Sequence, residues 1–268
     1  KFMNTRYLVH ELKDFSFDEH FDFAIFSAGA ETSRHFAPIA ASKGCVVIDN
    51  SSAFRMDDDV PLIVPEVNFN DVINHKNIIA NPNCSTIQAV VALKPLDDKY
   101  KIKRIAYSTY QAVSGAGVAG WNDLENGLKG EAPKKFPHPI AGNCLPHIDV
   151  FMENGYTKEE MKMINETHKI LEDNEIGITA TTVRVPVYRS HAESVNVELE
   201  KEVSLDAIKC AFRNACKISQ SLSRSSFCNS ITIEPIIKPP KQFRRRKCCG
   251  FSGEAVYFRN GCDRPKTL

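Results

Sequence analysis

Apolar residues fall in short unbroken runs over the first third of the chain and in alternating or helical spacing after it. Phe21 to Ser27 (FDFAIFS) and Cys45 to Asp49 (CVVID) each predict a buried strand. Between them Ala28-Gly29-Ala30 reads as a tight turn, and Glu31 to Lys43 as a helix stopped by Gly44. Continuous apolar strands joined by a crossover helix predict a parallel sheet covered on both faces. Asn77 to Ala80 adds another short strand. Pro82 and Asn83 then turn the chain into an apolar helix, Thr86 to Leu93, expected to end before Pro95. Beyond that helix the pattern changes. Ile102 to Val113 predicts a long strand, Trp121 to Leu128 a short helix, and Phe136 to His147 a loop bearing Pro and His. Thr157 to Glu172 is an amphipathic helix that Thr157 and Glu160 open with a capping box. Thr179 to Val187 and Ser194 to Glu200 are strands, the second alternating Val195, Val197 and Leu199 against polar neighbours, and Ser204 caps a helix through about Asn214. Segregated helices and strands, read as antiparallel, predict α+β packing here. The expected organisation is therefore an α/β domain over 1–83, an α+β domain over 84–215, and a tail over 216–268.

Composition adds limits. In 268 residues, 43% hydrophobic and 25% charged, the chain has the make-up of an ordinary globular protein. A net charge of +1 offers no electrostatic case for nucleic acid or an acidic membrane surface. No apolar run approaches the roughly 18 residues of a membrane span, and the first residues lack the apolar core of a signal peptide, so a cytoplasmic location is expected. Nine cysteines, an odd number without paired C-x-x-C motifs, indicate neither a disulfide framework nor a metal site.

One cysteine stands apart. In Asn81-Pro82-Asn83-Cys84-Ser85-Thr86-Ile87-Gln88 it lies between an apolar strand and the first turn of a helix. Free amide N–H groups and the helix dipole there favour a thiolate, so the pKa of Cys84 is expected to fall toward neutrality, as for a nucleophile. The alternative is an inert buried thiol. His191 is either a general acid/base, since imidazole titrates near neutral pH, or a surface histidine beside a strand. Glu159 and Lys162, three apart on one helix face, form either a solvated ion pair or part of a site. Arg55, followed by three aspartates, reads on its own as a surface ion-pair residue.

Taken in order, six motifs resemble the aspartate-β-semialdehyde dehydrogenase family. They are Phe26-Ser27-Ala28-Gly29, the run from Asp49 to Met56 (DNSSAFRM), Val64 to Asn68 (VPEVN), the Cys84 octapeptide, Tyr110 to Gly117 (YQAVSGAG), and Arg184-Val185-Pro186-Val187 ahead of His191 to Val195 (HAESV). The resemblance implies a Rossmann-like NAD(P)-binding domain followed by a glyceraldehyde-phosphate-dehydrogenase-like catalytic and dimerisation domain. It also implies an NADP-dependent phosphorylating dehydrogenase that interconverts aspartyl 4-phosphate and aspartate 4-semialdehyde through a cysteine thioester, on the route to lysine, threonine and methionine. By resemblance Cys84 is the nucleophile, Gln111 orients the acyl group and His191 is the acid/base. Arg184 would fork onto the substrate carboxylate, Glu159 meet the amine, and Lys162 with Arg55 bind phosphate, Asn83 completing the substrate set. Ser114 and Gly115 would meet the nicotinamide half of NADP, with Ser27, Ala28 and Gly29 lining the nucleotide site. The partners implied are a small-molecule substrate and a second copy of the chain in a homodimer, with no nucleic acid and no membrane.

Two departures from the family pattern shape the expectation. The chain opens as if mid-domain, without the first strand and glycine loop that usually cradle a pyrophosphate, so the parallel-sheet domain reads as incomplete and its dinucleotide affinity as weak. From about Cys216 the resemblance stops, periodicity fades, and Ser, Arg and Cys clusters such as Arg244-Arg245-Arg246-Lys247-Cys248-Cys249 follow, as after a slip of reading frame or a misjoined coding segment. A nucleic-acid or nuclear-import patch is the other reading of that basic run. The alternatives to the dehydrogenase are an inactive truncated copy that keeps the substrate site and dimerisation surface, and the related N-acetyl-glutamyl-phosphate reductase.

Overall fold

A computed structural model describes residues 3–212 together with the backbone of two later strands, Ile231–Glu234 and Glu254–Asn260. The chain divides into two compact units, Lys1–Ile63 with Asn68–Pro82, and Val64–Val67 with Asn83–Leu268. No helix among the described residues is long and apolar enough to cross a membrane.

The first unit is built on the strands β1 (Phe23–Phe26), β2 (Val46–Asp49) and β3 (Ile78–Ala80), all parallel and in that order, with α1 (Ala30–Ser42) crossing from β1 to β2. Val47, Ala37 and Ala40 are sealed between helix and sheet. The other face differs from the sequence expectation of a sheet covered on both sides. Phe23, Ile25 and Ile48 stand exposed on it, because side chains alternate along a strand and only one set meets α1.

A single turn, α2 (Pro65–Asn68), precedes the second unit's main helix, α3 (Cys84–Tyr100). That helix corrects the expected stop before Pro95, which lies inside it. An interior proline costs about 3 kcal/mol. Burial of Leu96 returns roughly 1.5–3 kcal/mol. Asp97 supplies the rest of the closure, its Oδ1 accepting from Ile102 N–H at 3.1 Å and its carbonyl from Lys101 N–H at 3.0 Å, where a left-handed Lys101 (φ 58°) ends the helix.

The second sheet runs β5-β4-β6-β8-β7, from β4 (Ile102–Gln111), β5 (Gly177–Arg184), β6 (His191–Leu199), β7 (Ile231–Glu234) and β8 (Glu254–Asn260). All neighbours are antiparallel except β4 and β5, which run parallel, contrary to the purely antiparallel expectation. A parallel pair needs a long crossover. Here α4 (Gly117–Gly127), the Pro- and His-bearing loop and α5 (Lys158–Leu171) provide it. The expected capping box opens α5, Thr157 Oγ1 accepting from Glu160 N–H at 3.3 Å while Glu160 Oε2 accepts from Thr157 N–H at 2.7 Å. Ala89, Leu93 and Leu96 of α3 pack with Met163 and Leu171 of α5 and with Ile105, Ala180 and Val195 of the sheet in one core. Residues 205–212 are helical, with Ser204 Oγ accepting from Ala207 N–H. Strands β7 and β8 fall in the stretch read as a tail without period, a correction, since Ile231-Thr232-Ile233-Glu234 does alternate apolar and polar residues over four positions. The basic run 244–247 lies outside the described residues.

Candidate active site

One rung of the second sheet gathers three polar side chains. Gln111 ends β4, Arg184 ends β5 and His191 begins β6, and Gln111 stands directly opposite both of the others. Directly opposed residues share a face, so all three emerge together at one sheet edge. Gly115 closes over them: a Cβ there would lie 2.8 Å from Arg184 Nη1 and 3.6 Å from His191 Nε2. The resemblance assigns Gly115 to the cofactor, and its immediate neighbours are these two head groups; Ser114 beside it is half-buried.

Cys84 begins α3 and faces solvent. Asn83 caps the helix, its Oδ1 accepting from Ser85 N–H at 2.9 Å. Two carboxylates of α5, seven residues apart on one face, clamp Asn83 in place. Its Nδ2 donates to Glu159 Oε1 at 3.0 Å and its backbone N–H to Glu166 Oε2 at 2.6 Å. The polar groups of Asn83 are thus engaged in building the helix start. Gln111 Nε2 donates to Ser85 Oγ at 2.9 Å and to Glu159 Oε1 at 3.4 Å, fixing its amide.

The expected fall in the Cys84 pKa is corrected by this company. Although the thiol reaches solvent it is closely surrounded by protein, and burial pushes its pKa up, with Glu159 adding to the rise. Hydrogen bonding from the Ser85 backbone pulls the other way without prevailing. The helix start is present, but a dipole's half charge is outweighed by desolvation and a full carboxylate charge.

Glu159 remains ionised. Burial works against it, but Lys162, and then hydrogen bonds from Asn83 and Gln111, hold its pKa below the usual carboxylate range. Lys162 Nζ lies 3.0 Å from Glu159 Oε2 and 3.1 Å from Asp149 Oδ2. Burial opposes its charge, yet the two carboxylates keep its pKa above the ordinary value. Arg184 is buried at 6% exposure, donates Nη1 to Ala112 O at 2.8 Å, and has no partner for Nε among the described residues. Ala112 N–H donates to His191 Nδ1 at 3.0 Å, which leaves Nε2 to carry the proton of the neutral ring. Burial, with Arg184 assisting, lowers the His191 pKa and keeps the ring neutral near pH 7.

The remaining site residues read from the sequence belong to the first unit. At the carboxyl end of its parallel strands, Asn81 Nδ2 donates to Asn50 Oδ1 at 2.8 Å and Asn50 Nδ2 to Ser27 Oγ at 3.3 Å. Ser27, Ala28 and Gly29 form an exposed loop into α1, and Gly29 adopts φ 99° with open space where a Cβ would be. An open glycine loop leading into a helix of 13 residues, at the carboxyl edge of a parallel sheet, fits a nucleotide. Arg55 is buried here, not a surface ion-pair residue, donating Nε to Asn81 O at 2.9 Å and Nη2 to Asn50 O at 3.1 Å.

Ser85, Gln88, Glu166 and Glu193 carry no signal of their own in the sequence. The first two lie in the Cys84 octapeptide itself, Glu166 follows Glu159 by two helical turns, and Glu193 shares a strand face with His191.

A parallel-sheet unit and a cysteine-led helix set against a mixed sheet define a two-domain class, a Rossmann-like domain followed by a glyceraldehyde-phosphate-dehydrogenase-like one. The semialdehyde dehydrogenase NAD-binding domain matches residues 3–75 and the semialdehyde dehydrogenase dimerisation domain residues 93–234, beyond the point near Cys216 where the resemblance is expected to stop. Aspartate-semialdehyde dehydrogenase of Aquifex aeolicus is 55% identical over 223 residues, 80% of this chain and 66% of that one. Its counterpart in Shewanella violacea is 46% identical over 248 residues, 89% of this chain and 73% of that one. The crystal structure of Vibrio cholerae aspartate semialdehyde dehydrogenase II complexed with ASA superposes with a TM-score of 0.75 at 40% identity, covering 88% of this chain and 73% of that one. The chain belongs to the aspartate-semialdehyde dehydrogenase family. It spans 66% of the length of the Aquifex and Campylobacter jejuni relatives it matches.

Proposed function

We propose that this chain interconverts aspartyl 4-phosphate and aspartate 4-semialdehyde with NADP, through a thioester on Cys84, as a step toward lysine, threonine and methionine. The observation that carries the reading is the Arg184–Gln111–His191 rung beside the Cys84 helix start, with Glu159 alongside. Aspartate semialdehyde carries a carboxylate and an ammonium, and the two buried head groups here have the matching signs. Arg184, with its unpartnered Nε, takes the carboxylate, and Glu159 takes the ammonium.

Substrate binding then acts on the nucleophile. An ammonium on Glu159 cancels part of the negative field that holds the Cys84 thiol protonated, so the thiolate forms when the reactant is in place, its proton passing to the solvent that Cys84 faces. The sulfur attacks the acyl carbon of the acyl phosphate, the bond to the phosphate oxygen breaks, and phosphate leaves with the bonding pair. Gln111 holds the acyl group, and His191 offers Nε2–H to the carbonyl oxygen as charge develops there. Lys162 serves the departing phosphate in the second unit. Ser27–Gly29, and by the family resemblance Ser114 and Gly115, would hold NADPH, which would supply the hydride that turns the thioester into the aldehyde. The family's dimerisation domain supports a homodimer as the working form. The N-acetyl-glutamyl-phosphate reductase alternative loses ground, since the Aquifex, Shewanella and Vibrio relatives all carry the name of the aspartate enzyme.

The test is phosphate-dependent reduction of NADP by aspartate semialdehyde in the purified chain, beside a Cys84→Ala control. Turnover that vanishes in the control is expected. A folded protein with no turnover above the control leaves the reading of a non-catalytic copy that pairs through its second domain.

A further inference from the structure

Below the rung of Arg184, Gln111 and His191 lies a second one. Thr182 of β5, Thr109 of β4 and Glu193 of β6 stand opposite one another in register, and all three are sealed from solvent. Glu193 Oε1 accepts from Gln88 Nε2 at 2.5 Å, while its Oε2 has no hydrogen-bond partner among the described residues, and Ser85 on the same helix is near enough to favour its charged form. Ser85 and Gln88 are the second and fifth residues of α3, immediately after the cysteine. Ser85 Oγ in turn receives Gln111 Nε2. A carboxyl group with no solvent is therefore tied by the Gln88 hydrogen bond to the first turns of the nucleophile's helix, where the neighbouring Ser85 holds the amide that faces the acyl group.

We propose that Glu193 is a positioning residue which, through Ser85 and Gln88, sets the orientation of Gln111 and tunes the reactivity of the Cys84 thiol. The inference rests on the reading of Cys84 as the nucleophile and extends the machinery one rung deeper into the sheet. A carboxylic acid suits the position because it can change charge. Burial pushes Glu193 up to about 8, against the hydrogen bonds of Gln88 and Ser85, so it is mostly neutral at pH 7 and gains a negative charge just above. Among the described side chains, Cys84 on α3 and Tyr107 on β4 feel that charge, while Arg184, Glu159 and His191 surround the rung above; Phe258 of β8 stands opposite Glu193 in register. In its neutral form the acid supports the helix start without opposing the thiolate. Once ionised, it raises the thiol pKa further.

The experiment follows Cys84 alone. The alkylation rate of the Cys84 peptide by iodoacetamide, read by mass spectrometry from pH 6 to 10 in the full 268-residue chain, gives the midpoint of thiolate formation. Glu193→Gln keeps the shape and hydrogen bonds of the neutral acid but cannot ionise, and the midpoint is expected to fall by about 0.5 unit or more. Ser85→Ala removes a hydroxyl that favours the thiolate, and the midpoint is expected to rise. Opposite shifts from two neighbouring variants would not arise from general loosening. A Glu193→Gln midpoint that stays put or rises in a folded protein overturns the inference; should that variant fail to fold, the absence of a rise in Ser85→Ala does so. Thiol titration needs no turnover, so the role of Glu193 is tested even in a chain inactive as a dehydrogenase.

Discussion

Replacing Glu159 by Gln should make the nucleophile more reactive and the enzyme worse, and the structure sets the size of both effects. The Glu159 carboxylate and the Cys84 sulfur are linked through Asn83, with 3.0 Å from Oε1 to Nδ2 on one side and 4.0 Å from Oδ1 to Sγ on the other. That places charge and sulfur roughly 6–9 Å apart. At an effective dielectric of about 20–40, a unit charge at that distance is worth about 1–3 kcal/mol, or roughly 0.7–2 pKa units. Lys162 reinforces the sign, since removing Glu159 unmasks a cation 3.0 Å away that also favours a thiolate. The alkylation midpoint of Cys84 should therefore fall by about one unit.

Substrate binding moves the other way. A lost charge-assisted contact to the substrate ammonium costs about 1.5–3 kcal/mol. The concentration of aspartate semialdehyde that half-protects Cys84 from alkylation should thus rise by roughly 10- to 150-fold. Loss of fold would also lower the midpoint, because it removes the burial that raises the thiol pKa, so the shift is read only in a variant whose circular dichroism and urea midpoint match the wild type's. A midpoint that holds or climbs in Glu159→Gln would falsify the account of why the thiol is kept protonated. Unchanged protection would remove Glu159 from the substrate site.

Three further outcomes follow from the same geometry. Cys84→Ser should reduce turnover on the order of 10³-fold or more, with circular dichroism unchanged, and residual activity near wild type would remove the thioester. Gly115→Ala displaces the Arg184 guanidinium, which its Cβ would meet at 2.8 Å, so KM for aspartate semialdehyde should rise by about 5- to 30-fold while kcat changes less; a selective kcat loss would argue against Arg184 as carboxylate anchor. Glu193 has a pKa raised from an ordinary 4.5 to about 8, so the folded state keeps a proton the unfolded chain releases. Its contribution is fully present below pH 4.5 and declines as pH rises to about 8, by a few kcal/mol, so the urea midpoint of Glu193→Gln should gain on wild type across that window, and parallel curves would refute the shift.

Much of the fold was readable because local rules governed it. The FDFAIFS and CVVID strands, the glycine turn between them and the Thr157 capping box each depend on a few adjacent residues, and each appears within about two residues of expectation. Pro95 misled because proline's local penalty was countered by the burial of Leu96 and the closure at Asp97, neither visible in a short window. The parallel pairing of β4 with β5 was hidden for the same reason, being decided by a crossover of more than sixty residues rather than by either strand.

The site shows the same division more sharply. Cys84 stood out from its own octapeptide and His191 was one of two open readings of an imidazole, whereas Arg184 was assigned only through the family resemblance. The state of the thiol could not be read that way. A helix start contributes a half charge that is legible in the sequence, whereas the opposing field comes from Glu159, 75 positions along the chain, and from Glu193, 109 along, brought back by α5 and β6. Desolvation likewise belongs to the packed site and to no residue in particular. The sign of the Cys84 shift therefore depends on long-range packing even where its catalytic candidacy does not. It follows that a relative could keep the octapeptide intact and still hold its cysteine at a different pKa by changing only the carboxyls behind it, and, under the proposed function, that a substrate ammonium on Glu159 would release the thiolate.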